Sequence, residues 1–230
     1  MPGKLPAERC GSTCVQKHKS YYPAFLDLSG KKCVVVGGGA VAERKVRSLC
    51  AAGASVSIIS PQISLRLARL VANGTVRHIE REYRRGDLRG AFLVITATSD
   101  AAVNERVARD AAGLVNVADQ PGLGNFIVPA LVERGQLMLA VSTMGLSPAL
   151  SKTVRKELES RYPASVAAYL AFIGRMRRKV LEGIPSPRKR AQFFRKITSG
   201  EMLDRVRTFG CRAAAAEVQT LFRRYERGEL

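Results

Sequence analysis

The chain has 230 residues, with 38 Lys and Arg against 19 Asp and Glu, a formal net charge of +19. At 46% hydrophobic and 25% charged it has the composition of a globular protein, which sets aside wholesale disorder and collagen-like architectures. Its apolar stretches, around Cys33, Phe92 and Leu137, fall far short of the roughly 20 residues that span a bilayer, so no transmembrane helix is expected. Residues 1–20 are polar, basic and aperiodic and read as a flexible leader without the apolar core of a secretory signal, and the expected compartment is the cytoplasm. Cysteines at 10, 14, 33, 50 and 211 make no disulfide framework and are expected as thiols. Cys10, Cys14 and His18 are spaced like metal ligands, but structural zinc takes four ligands, so no metal site is assigned.

The ordered part is expected to begin near Tyr21. Cys33-Val34-Val35-Val36 reads as a strand ended by Gly37-Gly38-Gly39, and 40–52 as a helix closed by Gly53. A strand at 54–59 stops at Ser60-Pro61, a helix at 63–72 stops at Asn73-Gly74, and strands follow at 75–79 and 92–97. A helix at 101–112 and a strand at 114–118 complete the alternation. That pattern predicts an α/β fold, a Rossmann-like doubly wound parallel sheet, over an NAD-binding domain at 21–128. After Asp119 the pattern changes: 125–128 and 137–142 read as strands around a helical turn at 129–134. Ser147-Pro148 then starts a helix to about residue 161. This small α+β segment, 129–162, leads into a helical C-terminal domain of three or more helices, 163–230.

Gly37-Gly38-Gly39-Ala40-Val41-Ala42 fits G-x-G-x-x-A between a strand and a helix. Gly37 permits the turn, Gly39 lets a pyrophosphate approach the backbone, and Ala42 packs the helix on the sheet. Gly37, Gly38, Gly39, Ala40 and Val41 are therefore candidate cofactor-binding residues. A ribose-binding carboxylate normally ends the second strand of such folds; Ser60 and Pro61 stand there instead, with Arg66 as a nearby cation. Thr96, Ala97 and Thr98 end the fourth strand, where the threonine hydroxyls either contact the cofactor or belong to a loop capping the helix from Asp100. Asp119 ends the fifth strand at the same crevice, as a general base or as a cap for residues 122–125.

Several segments in this order carry a resemblance: Tyr22-Pro23-Ala24-Phe25-Leu26-Asp27-Leu28; Val35-Val36-Gly37-Gly38-Gly39-Ala40-Val41-Ala42-Glu43-Arg44-Lys45; Ala97-Thr98-Ser99-Asp100-Ala101-Ala102-Val103-Asn104; Asn116-Val117-Ala118-Asp119; Phe126-Ile127-Val128-Pro129-Ala130; and Ser142-Thr143-Met144-Gly145-Leu146-Ser147-Pro148-Ala149-Leu150. Together, residues 22–163 resemble the amino-terminal module of siroheme synthases, the precorrin-2 dehydrogenases and sirohydrochlorin ferrochelatases. The resemblance implies NAD-dependent oxidation of precorrin-2 to sirohydrochlorin by a homodimer, on the route to siroheme or cobalamin. It implies Asp119 as the acid–base residue, 129–162 as the dimerisation region, and Asn116, Ser142, Thr143 and Gly145 as substrate-binding residues. Thr143 stands where some bifunctional relatives carry a phosphorylatable serine. Ferrochelatase activity is left open, because a tetrapyrrole supplies its own metal-binding nitrogens. No methyltransferase activity is expected of these 230 residues.

Other readings are a non-catalytic NAD-sensing Rossmann regulator, which would need no Asp119, and a nucleic-acid binder. Residues 151–230 hold 19 Lys and Arg against 8 Asp and Glu, including Arg175-Met176-Arg177-Arg178-Lys179 and Arg188-Lys189-Arg190. Aromatic residues are only 6% of the chain and Trp is absent, which argues against base stacking. The positive field suits a polycarboxylate as well as a polynucleotide.

Overall fold

Three consecutive valines, Val34-Val35-Val36, suit the pleated surface of a strand covered on both faces, and this strand is the middle of a five-stranded sheet. The computed structural model describes residues 19–230. It divides into two compact units, residues up to Ile127 and Val128–Leu230. Cys10, Cys14 and His18 lie outside the described residues.

In the first unit, β1 (Lys32–Val36), β2 (Ser55–Ile59), β3 (Val76–Ile79), β4 (Leu93–Thr96) and β5 (Leu114–Val117) form one parallel sheet in the order β3-β2-β1-β4-β5. The period of two along β1 divides its residues between two cores. Cys33 and Val35 pack with Ala42, Val46 and Leu49 of α1 (Ala40–Ala51) and Leu67 of α2 (Leu65–Ala72). Val34 and Val36 pack on the other face with Tyr83, Leu88 and Val107 of α3 (Ala101–Asp110). Each such buried aliphatic side chain contributes roughly 1.5–3 kcal/mol. The chain runs outward from β1 in one direction through β2 and β3, and in the other through β4 and β5. The carboxyl ends of β1 and β4 thereby flank the reversal point where doubly wound sheets bind ligands.

The second unit opens with β6 (Ala130–Arg134) and β7 (Leu137–Val141), an antiparallel pair in which Ala130 faces Val141 and Arg134 faces Leu137. The helical turn expected at 129–134 is therefore a strand. Gly135, at φ +60, opens a two-residue turn that brings Leu137 back against Arg134, and cross-strand pairing overrides local helical preference. The strand expected at 125–128 joins no ladder. Its segment is tied to β5 mostly by side-chain amides: the Asn125 carboxamide accepts from the Val115 amide at 2.8 Å and donates to the Gly113 carbonyl at 2.9 Å, and Asn116 Nδ2 donates to the Phe126 carbonyl at 3.1 Å.

Ser147 caps α4 (Pro148–Arg161), accepting from the Leu150 amide at 3.2 Å, and Pro148 takes the first helical position. The remaining helices, α5 (Ala164–Gly183), α6 (Pro187–Ile197) and α7 (Gly200–Glu226), enclose a separate core. Tyr169, Phe172, Met176 and Val180, spaced by three or four residues on α5, meet Phe193 and Ile197 of α6 and Val206, Ala214 and Val218 of α7. Phe193 lies edge-on to Phe222 and Tyr225, and Gly210, at φ +80, kinks α7. Among the described residues no helix is long and apolar enough to cross a membrane, and no group of three or more His, Cys, Asp or Glu side chains could hold a metal.

Candidate functional site

The site begins where β1 stops. Gly37 adopts φ +115, and a Cβ there would lie 2.5 Å from the Ala97 carbonyl oxygen; its amide donates to the Ile59 carbonyl at 2.9 Å. The loop after β1 is thus pressed between the loops after β2 and β4, which a side chain would force apart. A Cβ on Gly38 would sit 1.9 Å from the Gln62 carbonyl oxygen. Gly39 differs: a Cβ there would meet nothing within 4 Å. It is the N-cap of α1 and offers no side-chain cap, so the first helical amides are left to another acceptor. Gly39, Ala40 and Val41 are exposed and Ala42 is fully buried, as a pyrophosphate cradle requires of its open and packed sides. These residues fit a dinucleotide.

Around this turn the other predicted side chains hold the loops. Ser60 is buried, its hydroxyl donating to the Gln62 carbonyl at 2.6 Å, and this fixes the carbonyl that crowds Gly38. His78 Nε2 lies 2.9 Å from the Ser60 carbonyl oxygen, a structural contact. Pro61 is exposed. Arg66 forms an ion pair with Glu43 at 3.3 Å, while its side chain stays 74% exposed. The Ser64 hydroxyl first, and the Arg66 guanidinium after it, hold the Glu43 carboxyl below the usual carboxylate range.

At the ends of β4 and β5 a polar cluster lies behind the crevice. Thr96 is fully buried and its hydroxyl donates to Asn104 Oδ1. The Thr98 hydroxyl lies 2.9 Å from the same oxygen and accepts from the Asp100 amide at 3.2 Å. Asp100 caps α3 through the Ala102 and Val103 amides. This loop therefore caps α3, and Ala97 abuts the fingerprint turn. Asp119 is exposed, two residues beyond β5, with Oδ1 3.4 Å from Asn104 Nδ2. It does not cap the following short helical turn, Pro121–Leu123, which has no side-chain cap. The Gly122 and Gly124 carbonyls in that segment accept instead from Lys19 Nζ at 2.5 and 2.7 Å.

Gly37, Gly38, Gly39, Ala97, Thr98 and Asp119 thus gather at one edge of the sheet, with Ser60 and Pro61 at the end of β2. Asn116, expected at the substrate, is buried and spends its amide on Phe126. Ser142, Thr143 and Gly145 belong to the second unit. There the Thr143 hydroxyl donates to the Ser147 carbonyl at 2.9 Å, accepts from the Ser147 amide at 3.1 Å and lies 3.0 Å from Ser151 Oγ. Ser142 is exposed and accepts from the Met144 amide, and Met144 and Gly145 both take positive φ. Gln62 was not singled out by motif, and Asn104 entered only as the last residue of the Ala97–Asn104 segment, with no role. The signal for Asn104 was a polar residue beside Val103 on the buried side of an amphipathic helix.

A parallel sheet with this strand order, a glycine turn open at Gly39 and an uncapped α1 define an NAD(P)-binding Rossmann protein, and residues 24–130 match an NAD(P)-binding family model. The chain is 39% identical over 187 residues to the siroheme synthase of Methylobacillus flagellatus, covering 80% of this chain and 40% of that protein. It is 40% identical over 189 residues to the siroheme synthase of Pseudomonas paraeruginosa, covering 81% and 41%. It therefore spans about two fifths of the length of these relatives. The solved structure of SirC, precorrin-2 dehydrogenase, superimposes with a TM-score of 0.74 at 30% identity, covering 87% of this chain and 100% of that one. The chain belongs to the precorrin-2 dehydrogenase family.

Proposed function

We propose that this chain is an NAD-dependent precorrin-2 dehydrogenase that converts precorrin-2 to sirohydrochlorin. The observation that carries the reading is Asp119, an exposed carboxylate on the same sheet edge as the Gly37–Gly39 turn, beside the dinucleotide-binding crevice. Residues 38–41 would hold the pyrophosphate through backbone amides, while the Gly37 amide is spent on the Ile59 carbonyl and the loops after β2 and β4 fix that turn. Bound NAD supplies the hydride acceptor. Asp119 takes the proton that the macrocycle loses together with a hydride, so the two-electron oxidation yields sirohydrochlorin, NADH and a protonated carboxyl that returns its proton to solvent. A net charge of +19 favours the approach of a polycarboxylate substrate.

The working form we propose is a homodimer in the cytoplasm. The second unit favours a partner copy: α4 buries no residue, and Met144, Leu146 and Leu150 are exposed, Leu146 by 74%. A two-stranded sheet and a helix with so little buried surface gain stability when covered. Cys33, Cys50 and Cys211 are free thiols, which suits a reducing compartment.

An anaerobic assay with precorrin-2 generated in situ tests the activity through NADH absorbance and the sirohydrochlorin spectrum. Turnover that falls by about 10²–10⁴ in Asp119→Asn, with NAD affinity intact, is the expected result. NAD binding without any turnover would favour the sensor reading, and unaltered turnover in the variant would remove Asp119 as base.

A further inference from the structure

Among the described residues, the fully buried Asn104 is the one polar side chain that touches both the loop after β4 and Asp119. Its carboxamide has two distinct sides. Oδ1 receives the Thr96 hydroxyl and faces the Thr98 hydroxyl at 2.9 Å; Nδ2 donates to the Thr98 carbonyl at 3.1 Å and faces Asp119 Oδ1 at 3.4 Å. Chemistry fixes this orientation. Turned over, the amide oxygen would oppose a carbonyl and a carboxylate, two groups that only accept.

From this geometry we infer that Asn104 is a positioning residue for Asp119, holding one carboxylate oxygen toward α3 so that the other faces the crevice. The inference rests on the reading of Asp119 as the base of a dehydrogenase. Burial makes the arrangement rigid: the Asn104 backbone is anchored by its amide to the Asp100 carbonyl at 3.1 Å, and its side chain has no solvent to exchange partners with. Asp119 itself is exposed, and the amide is its hydrogen-bond donor among the described side chains. Losing that donor frees the carboxylate to rotate, and catalytic groups displaced by about an ångström lose rate steeply. Substrate and cofactor binding, which rest on other atoms, need not change.

Asn104→Asp removes the donor and puts a carboxylate in its place. It keeps the shape and the acceptor for Thr96 and Thr98, and it replaces Nδ2 by an oxygen that repels Asp119. Asn104→Ser removes both sides in a neutral form. For the wild type and both variants, kcat and the KM for precorrin-2 are measured anaerobically, NAD affinity by titration calorimetry, and the thermal midpoint by circular dichroism. The expected result is a kcat lower by about tenfold or more in Asn104→Asp and reduced in Asn104→Ser, with KM and NAD affinity within about twofold of wild type. If Asn104→Asp does not fold, Asn104→Ser decides. Unchanged kcat in a folded variant overturns the inference, as does a kcat loss that only follows loss of NAD binding, or collapse of both variants, since Asn104 would then be core support. Wild-type protein that oxidises no precorrin-2 overturns the proposed function, and with it the base Asn104 would serve. Wild-type turnover beside unaltered variants overturns the positioning role alone.

Discussion

A Cβ at Gly38 would lie 1.9 Å from the Gln62 carbonyl oxygen, although at the neighbouring Gly39 it would meet nothing within 4 Å. The two glycines are therefore needed for different reasons, one for packing within the protein and one for the approach of a ligand. Gly38→Ala is expected to destabilise the first unit by about 1–3 kcal/mol through displacement of the 60–62 loop, read as a lower unfolding midpoint. Gly39→Ala suits the local φ of −82 and should leave the midpoint in place. It should weaken NAD binding by about tenfold or more in calorimetric titration, equivalent to roughly 1.4 kcal/mol. Equal NAD affinity in Gly39→Ala and wild type would mean that the dinucleotide does not approach this atom.

The loop after β3 makes stability depend on pH. Arg81 grips Asp87 with two nitrogens, at 2.8 and 2.7 Å, and the Arg84 amide adds a third donor at 2.8 Å. The Arg81 hydrogen bond, followed by the Arg84 amide, holds the Asp87 carboxyl below its usual range against the cost of burial. Because the folded-state pKa is the depressed one, this contribution is complete above the unfolded carboxylate range, near pH 4, and is lost as pH falls through the folded value. Arg81→Gln should lower the thermal midpoint at pH 7, and its difference from wild type should shrink on acidification below about pH 4. A difference independent of pH would show that Arg81 stabilises the loop by packing rather than charge.

The first unit was legible because its signals are local. Three valines, three glycines and a periodic Ala42, Val46, Leu49 face follow one another within 16 residues, and the parallel sheet follows from repeating that unit. The 125–134 stretch was not. Its outcome depends on the Asn125 carboxamide reaching Val115 and Gly113, and on β6 meeting β7, pairings that a local window does not contain. The site divides in the same way. The Gly37–Gly39 turn and Asp119 can be read from motif and strand end, whereas the interior partners of Thr96 and Asn116 follow from tertiary packing. A hydroxyl at a strand end looks available to a ligand until the buried group behind it is known.

The exposed apolar residues after β7 give the proposed homodimer a direct test. Leu146 and Leu150 are 74% and 53% exposed, and Met144 takes φ +54, a backbone conformation rare for a residue with a side chain. Burial against a second copy would stabilise both the leucines and the turn. Light scattering of the wild type should give twice the chain mass, and the double variant Leu146→Asp, Leu150→Asp should give the mass of one chain with an unchanged NAD affinity. A monomeric wild type would remove the dimer.

The helical core of the second unit turns on Phe193. It is fully buried, with ring centroids 5.9, 6.0 and 5.6 Å from Phe194, Phe222 and Tyr225, all at steep edge-to-face angles. Phe193→Ala removes the shared partner of three rings, leaving a cavity that helices α6 and α7 can close only by moving, a cost of about 3–5 kcal/mol. Tyr169→Phe is a milder probe of the same core. Its hydroxyl donates to the Ile197 carbonyl at the end of α6 at 2.7 Å, and without it a buried acceptor is left unpaired at a cost of about 1–3 kcal/mol. Because Trp is absent, the measurement is urea unfolding followed by the helical circular dichroism signal. The expected order of midpoints is wild type, then Tyr169→Phe, then Phe193→Ala; a Phe193→Ala midpoint equal to that of wild type would mean that the core closes around the missing ring without strain.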